Sequence, residues 1–380
     1  MTQAADRDQA QLQARERLGR LLSYLEQDPG NAALLRDTAE AALDANDPAE
    51  AARLYSRLKD AGELSDADSN LWAIAAMRSG QPALAAETFA GLLAGRPDDP
   101  ALRFNLAWAQ ALCGDDEAAR ATLDAGTAAE ALPQAALLDV QLLHRAGEFE
   151  VAAERAKAHL QRHGDYPPLL AAVSTLAMDV EDVRLARACA ERAGEHPEAL
   201  GTLAMLALGE QQPERAKAMF ERSLALDDRA PRVWIGLGLA ELAQGEIAAA
   251  AGHLDHGAEL FGDHLGSWIA AGWAHLLAGD RAAARIRFER AVALDGSFAE
   301  AQGSLAVIEL LEGERDAAER RIEVAARLGR QSFALAFARM LLSSAAGDTQ
   351  AAQRIAEAAL RQPVGPDGQT IAQILARMAR

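Results

Sequence analysis

The sequence predicts an all-α chain folded as an α-α superhelix, a solenoid of short helix pairs. Alanine recurs every 34 residues at Ala216, Ala250, Ala284, Ala318 and Ala352, and with the same step at Ala51, Ala85 and Ala119. Glycine keeps that period at Gly245, Gly279, Gly313 and Gly347. Half of the 380 residues are hydrophobic but only 4% are aromatic, so alanine and leucine carry the apolar content, as closely packed helices require. A fixed period of this size marks a stack of small units, which grows by addition instead of enlarging one core.

Each landmark has a place in such a unit. Phe89, Phe220, Leu254, Phe288 and Ile322 lie four residues beyond the repeated alanine, on the same face of a second helix. Ala39, Ala73, Ala107, Ala204, Gly238, Gly272 and Ala306 form a series of small residues where the first helix must approach the second closely. The repeated glycines mark the turn between the two. Weaker units around Ala152 and Ala186 join the two alanine series with spacings of 33, 34 and 30, which gives ten units. The spacing of 30 removes four residues, close to one helical turn of about 3.6. The apolar face therefore stays in phase while a helix shortens, and a local irregularity is expected near Gly194 to Pro197.

The fullest unit runs from Arg232 to Glu259, with Trp234, Leu237 and Gly238 on the first helix, Gly245 at the turn, and Ala250 and Leu254 on the second. This pattern resembles the tetratricopeptide repeat, and the resemblance spans about residues 32–366. It implies an N-terminal array of about five units over 32–196 and a C-terminal array of five over 197–366. Asp139 and Arg339 stand where the family usually has leucine, and no unit between Pro133 and His196 carries the aromatic landmark. A solenoid needs covered ends. Residues 1–31 read as an N-terminal capping helix through Leu18, Leu21, Leu22 and Leu25, and residues 367–380 as a C-terminal one through Ile371, Ile374, Leu375 and Met378. Arg377 and Arg380 complement the dipole of that last helix.

A formal net charge of −18 and a pI near 4.9 argue against sequence-independent nucleic-acid binding, which needs a basic surface, and against anionic membranes. Met1 to Leu18 lacks the basic start and apolar run of a signal peptide, and no stretch approaches the roughly 20 apolar residues of a membrane span. The expected compartment is the cytoplasm. Cys113 and Cys189 are too few for a disulfide framework or a four-thiolate zinc site. His253 and His256 are three apart on a helix beside Asp255 and Glu259, but they fall on the second helix away from the apolar landmarks, and no His-Glu-x-x-His is present. Gly236-Leu237-Gly238 lies inside a helix and lacks both a preceding strand and a third glycine, so it is a packing feature. The repeats consume nearly the whole chain, and neither an enzyme nor a cofactor is expected.

In the family the first helix of each pair lines a concave groove. Carrying that register over implies groove positions at Phe104, Asn105 and Trp108, then Ile235, Leu239 and Leu242, then Ile269, Trp273 and Leu276, then Val307 and Leu310, and finally Phe337 and Leu341. Each of these side chains either meets a partner or packs between neighbouring first helices. The lysine and asparagine clamp by which related repeats hold acidic chaperone tails is missing: Asn70 and Asn105 are isolated, and Arg78, Arg145 and Arg232 do not complete the set. Apolar anchors favour instead the apolar face of a helix or an extended hydrophobic segment of another protein. The expected function is a scaffold or adaptor in assembly of a larger machine, such as a bacterial envelope or secretion complex. A peptide-regulated sensor is the alternative, without a visible effector domain. Lipopolysaccharide-assembly repeat proteins with a rubredoxin-like module lose support because the four cysteines are absent.

Overall fold

The computed structural model describes residues 2–329, 332–360, 363–364 and 369–370. It divides into two compact units, 1–186 and 187–380, a boundary ten residues before the 196/197 junction expected above. In the first unit, α1 (Thr2–Gln27) precedes the pairs α2 (Ala32–Asp44) and α3 (Pro48–Asp60), α4 (Asp66–Arg78) and α5 (Pro82–Gly95), and α6 (Pro100–Leu112) and α7 (Asp116–Asp124). A four-residue α8 (Ala128–Ala131) leads to the pair α9 (Pro133–Arg145) and α10 (Phe149–His163), then α11 (Pro167–Asp179). Its partner α12 (Val183–Ala193) crosses the boundary. In the second unit the pairs are α13 (Pro197–Gly209) and α14 (Pro213–Leu226), α15 (Pro231–Gln244) and α16 (Ile247–Phe261), and α17 (Leu265–Leu277) and α18 (Arg281–Leu294). The series closes with α19 (Ala299–Leu311) and α20 (Arg315–Leu328), then α21 (Phe333–Ala345) and α22 (Thr349–Leu360). The ten expected pairs are all present.

The helices start and stop where local chemistry dictates. Proline opens α3, α5, α6, α9, α11, α13, α14 and α15, in the first turn, where its missing N–H costs nothing. Asp47 also caps α3; Asn31, Asp115 and Asp280 cap other N-termini, and Ser65 with Asp68 forms a reciprocal capping box. Every first-to-second helix turn contains one residue in the left-handed region, five positions before the repeated alanine: Asn46, Gly80, Gly114, Gly147, Glu181, Gln211, Gly245, Gly279, Gly313 and Gly347. Glycine adopts that conformation freely, whereas an L side chain there costs about 1–2 kcal/mol. The turn is kept even where the glycine is lost.

The apolar landmarks meet as the spacing predicts. Gly272 lies against the Phe288 ring and Gly238 against Leu254, so closely that a Cβ on either glycine would overlap them. Phe89, Phe220, Leu254 and Phe288 are fully enclosed. The irregularity near Gly194 is α12 itself, 11 residues long against 14 or 15 for α14, α16, α18 and α20, with Gly194 left-handed at its end. At the N-terminus, Leu18 and Leu25 of α1 are buried against Leu35, Ala39 and Tyr55.

Asp139, which replaces a leucine, is buried and paired: Arg155 Nε lies 2.7 Å and His159 Nε2 2.8 Å from its Oδ2. Arg339, the other replacement, is exposed on the last pair. After α22 the backbone forms a two-residue antiparallel ladder, β1 (Pro363–Val364) with β2 (Gln369–Thr370), so the expected C-terminal helix does not begin at 367. Ile371, Ile374, Leu375 and Met378 lie outside the described residues.

Candidate protein-binding face

The first helices of consecutive pairs pack side by side in unit 2, α17 against α19 and α19 against α21. Their shared face gathers most of the expected groove positions. Trp273, Leu276, Leu310, Phe337 and Leu341 are half-buried around a core of Ala306, Ile322, Leu335 and Ala338. Ile235, Leu239 and Leu242 are half-buried around Leu254, Ala271 and Ala274. Val307 is fully enclosed and Ile269 nearly so, which removes both from any contact surface, because each points into the seam between helices. In unit 1, Phe104 stacks on Trp108 with ring centroids 5.8 Å apart, and Trp108 is 41% exposed.

The sequence reading missed Phe333. It opens α21, one helical turn before Phe337, and is 42% exposed. The Phe333 and Phe337 rings are parallel at 6.2 Å, and Trp273 closes the triangle at 5.9 Å and 6.0 Å. Trp273 also meets Phe288 edge-on at 5.6 Å, so it both packs and lines the surface. The i, i+4 spacing of Phe333 and Phe337 was visible, but the groove positions borrowed from the family leave out the first residue of the unit, which here is Phe333.

Most charged groups behind this face pair internally, although Ser304 Oγ and Glu309 Oε2 on α19 are buried without a hydrogen-bond partner. His253 shares a 2.7 Å hydrogen bond with the buried carboxylate of Glu241, and its ring and that of His256 both rest on Trp234. This corrects the placement of these histidines away from the apolar landmarks: the Trp234 side chain reaches across the pair to α16. One repeat later Asp255 receives Arg287 through 2.9 Å and 2.6 Å bonds and lies 2.8 Å from His275 Nε2. Burial alone would raise the Asp255 carboxyl, but the hydrogen bonds from Arg287 and His275 outweigh it and hold the group below its ordinary value. In the next repeat Arg321 joins Glu309 and Gln302. These seams tie second helices to first helices and, through Arg287 and Asp255, one second helix to the next. Among the described residues, no three His, Cys, Asp or Glu side chains converge as metal ligands, and no helix is long and apolar enough to cross a membrane.

Two tetratricopeptide-repeat family models match the sequence, at residues 76–142 and 202–258. Residues 76–142 and 202–258 therefore carry tetratricopeptide repeats. No curated protein matches it in sequence. Among solved structures it is similar to a monomeric mutant of IFIT1 with Gppp-AAAA, at 11% identity and a TM-score of 0.52, covering 86% of this chain and 89% of that one. It is also similar to Pseudomonas aeruginosa PilF, at 17% identity and a TM-score of 0.43 over 56% of this chain and 97% of that one. The Cut9–Hcn1 structure of the APC/C matches at 14% identity and a TM-score of 0.42 over 87% and 86%. At such identities the likeness concerns the fold.

Proposed function

We propose that this protein is a non-catalytic scaffold or adaptor that holds a helical or extended apolar segment of another protein on the first-helix face of unit 2. The observation that carries the reading is the triad of Trp273, Phe333 and Phe337, aromatic rings left partly open beside the half-buried Leu276, Leu310 and Leu341. Rigid aromatic side chains bury a large area on binding for little lost conformational freedom, which is why they dominate interface energetics. A nucleic-acid ligand such as the one named for the IFIT1 structure is disfavoured by the net charge of −18.

The test is affinity capture from the source cells with the wild-type chain and with Phe333→Asp, using Leu226→Asp as the control. Leu226 is exposed at the end of a second helix in the same unit. The proposal expects a protein retained by the wild type and the control and lost from Phe333→Asp. Equal recovery by all three would refute this face as the binding site.

A further inference from the structure

We infer that Gly303 and Glu300 of α19 are positioning residues that assemble the aromatic triad, by holding α21 so close to α19 that rings from α17 and α21 meet across it. The inference rests on the partner-binding reading of this face and names what builds it. At the earlier junctions of unit 2 the first helix of each pair packs chiefly on the second helix before it, whereas α21 packs chiefly on the first helix α19. Two pairs separate α17 from α21, yet Trp273 lies 5.9 Å from the Phe333 ring and 6.0 Å from that of Phe337. Trp273 and Phe337 pack in one cluster with Val307 of α19, which they help to enclose.

Two residues of α19 account for this approach. Gly303 stands at the repeat position that is Ile235 on α15, Ile269 on α17 and Phe337 on α21. Glycine inside a helix costs about 1 kcal/mol relative to alanine, and the compensation here is a close backbone contact. A Cβ at residue 303 would lie 2.6 Å from the Leu335 nitrogen and 2.9 Å from the Ala334 carbonyl carbon. Both are backbone atoms, which cannot rotate aside. Ordinary contact begins at 3.4 Å, so a side chain there would drive the helices apart by about 3.4 − 2.6 = 0.8 Å. One turn earlier, Glu300 Oε1 accepts the Ala334 N–H at 3.1 Å, while Ser332 Oγ accepts that of Leu335 at 3.0 Å. The first turn of α21 thus has one of its free N–H groups satisfied by α19 itself, and the carboxylate complements the helix dipole. The position of Glu300 is Arg232 on α15 and Gly266 on α17, so this tether is particular to the α19–α21 junction. The anchored turn carries Phe333 and leads directly into Phe337.

The experiment reads the ring contacts as nuclear Overhauser effects, in protein with isotope-labelled tryptophan and phenylalanine side chains. It compares wild type with Gly303→Ala, Gly303→Ile, Glu300→Ala and Glu300→Gln. Contacts from Trp273 to Phe333 and Phe337 are expected to weaken in Gly303→Ala and Glu300→Ala and to vanish in Gly303→Ile. They persist in Glu300→Gln, whose amide oxygen can accept the same bond. The contact of Trp273 with Phe288, between α17 and α18, persists in every variant and is the internal reference. An intact triad in Gly303→Ile would overturn the inference. Loss of the Phe288 contact together with the others would overturn it too, since that marks general loosening and no positioning role. The capture experiment above separates this inference from the reading beneath it. A protein lost from both Phe333→Asp and Gly303→Ile supports both, whereas one lost from Phe333→Asp and retained by Gly303→Ile leaves the partner face standing and overturns the positioning role.

Discussion

In unit 2 the second helices place Phe220, Leu254 and Phe288 over glycines of the first helices, whereas in unit 1 the equivalent position of α10 is Ala156. There the bulk has moved to the first helices, where Leu138, Leu142, Leu143, Leu169, Leu170, Val173 and Leu176 are buried. A polar cluster of Asp139, His159 and Arg155 fills the remaining seam between α9 and α10. Both regions keep nearly the same period. The register is thus held by the left-handed turn and by the sum of side-chain volumes across each pair, and either helix can supply the larger share.

The largest expected contrast is at the landmark itself. Phe288→Ala should cost about 3–5 kcal/mol, since the ring is fully enclosed over a glycine and nothing nearby can collapse into its place. Val151→Ala in α10, an exposed position, should cost less than ~0.5 kcal/mol. Denaturant unfolding of the two variants measures both, and a small loss at Phe288 would mean that the second-helix ring does not set the packing of unit 2.

Next in size is the polar seam of unit 1. Asp139→Ala leaves the buried His159 without its acceptor, and we expect a loss of about 2–3 kcal/mol. Asp139→Leu combined with His159→Leu should recover most of that, to within ~1 kcal/mol of wild type, because it replaces both buried partners by apolar groups. If the double variant is the less stable protein, the cluster does more than substitute for a leucine.

Two smaller effects sharpen the comparison. Gln211 holds a left-handed conformation that glycine holds in seven of the ten turns, so Gln211→Gly should raise stability by about 0.5–1 kcal/mol, and Asn46→Gly by less, since asparagine tolerates that region. A lower melting temperature for Gln211→Gly would contradict the account of the turns. The Asp255 carboxyl is held below its ordinary value in the fold, so its contribution is present above the unfolded carboxylate pKa of about 3.9 and disappears as the pH falls through the lower folded value. The stability gap between wild type and Asp255→Asn should therefore narrow only below about pH 4. A gap that closes near neutral pH would show that the ion pair with Arg287 is not its source.

The period, the ten pairs, the glycine turns and the close contact of Gly272 with Phe288 were all legible in the sequence, because helical spacing and residue size determine them directly. The shortened α12 was also legible, from a spacing of 30 instead of 34. What stayed hidden depends on side chains that cross between helices. Asp139 looked like a departure from the pattern until His159 and Arg155, 20 and 16 residues away, were seen to close around it. The geometry of the candidate face was legible in part. Phe104 and Trp108 do form an exposed stack, and Trp273 does centre a cluster, but Val307 and Ile269 turn inward, and Phe333 occupies the first position of its unit, which the borrowed groove positions leave out. Half-burial itself could not be read, because it depends on how far neighbouring first helices separate.

The central claim is that the aromatic face of unit 2 holds a partner segment, and the most direct measurement is a titration of that segment, once captured, against wild type, Phe333→Ala and Trp108→Ala, with a melting curve for each. Phe333 is 42% exposed, so its removal should change stability by no more than ~1 kcal/mol while weakening binding about 30-fold or more, equivalent to ~2 kcal/mol. Trp108→Ala, in the other unit, should leave the affinity unchanged. Undiminished affinity in Phe333→Ala, or an equal loss in Trp108→Ala, would contradict the claim.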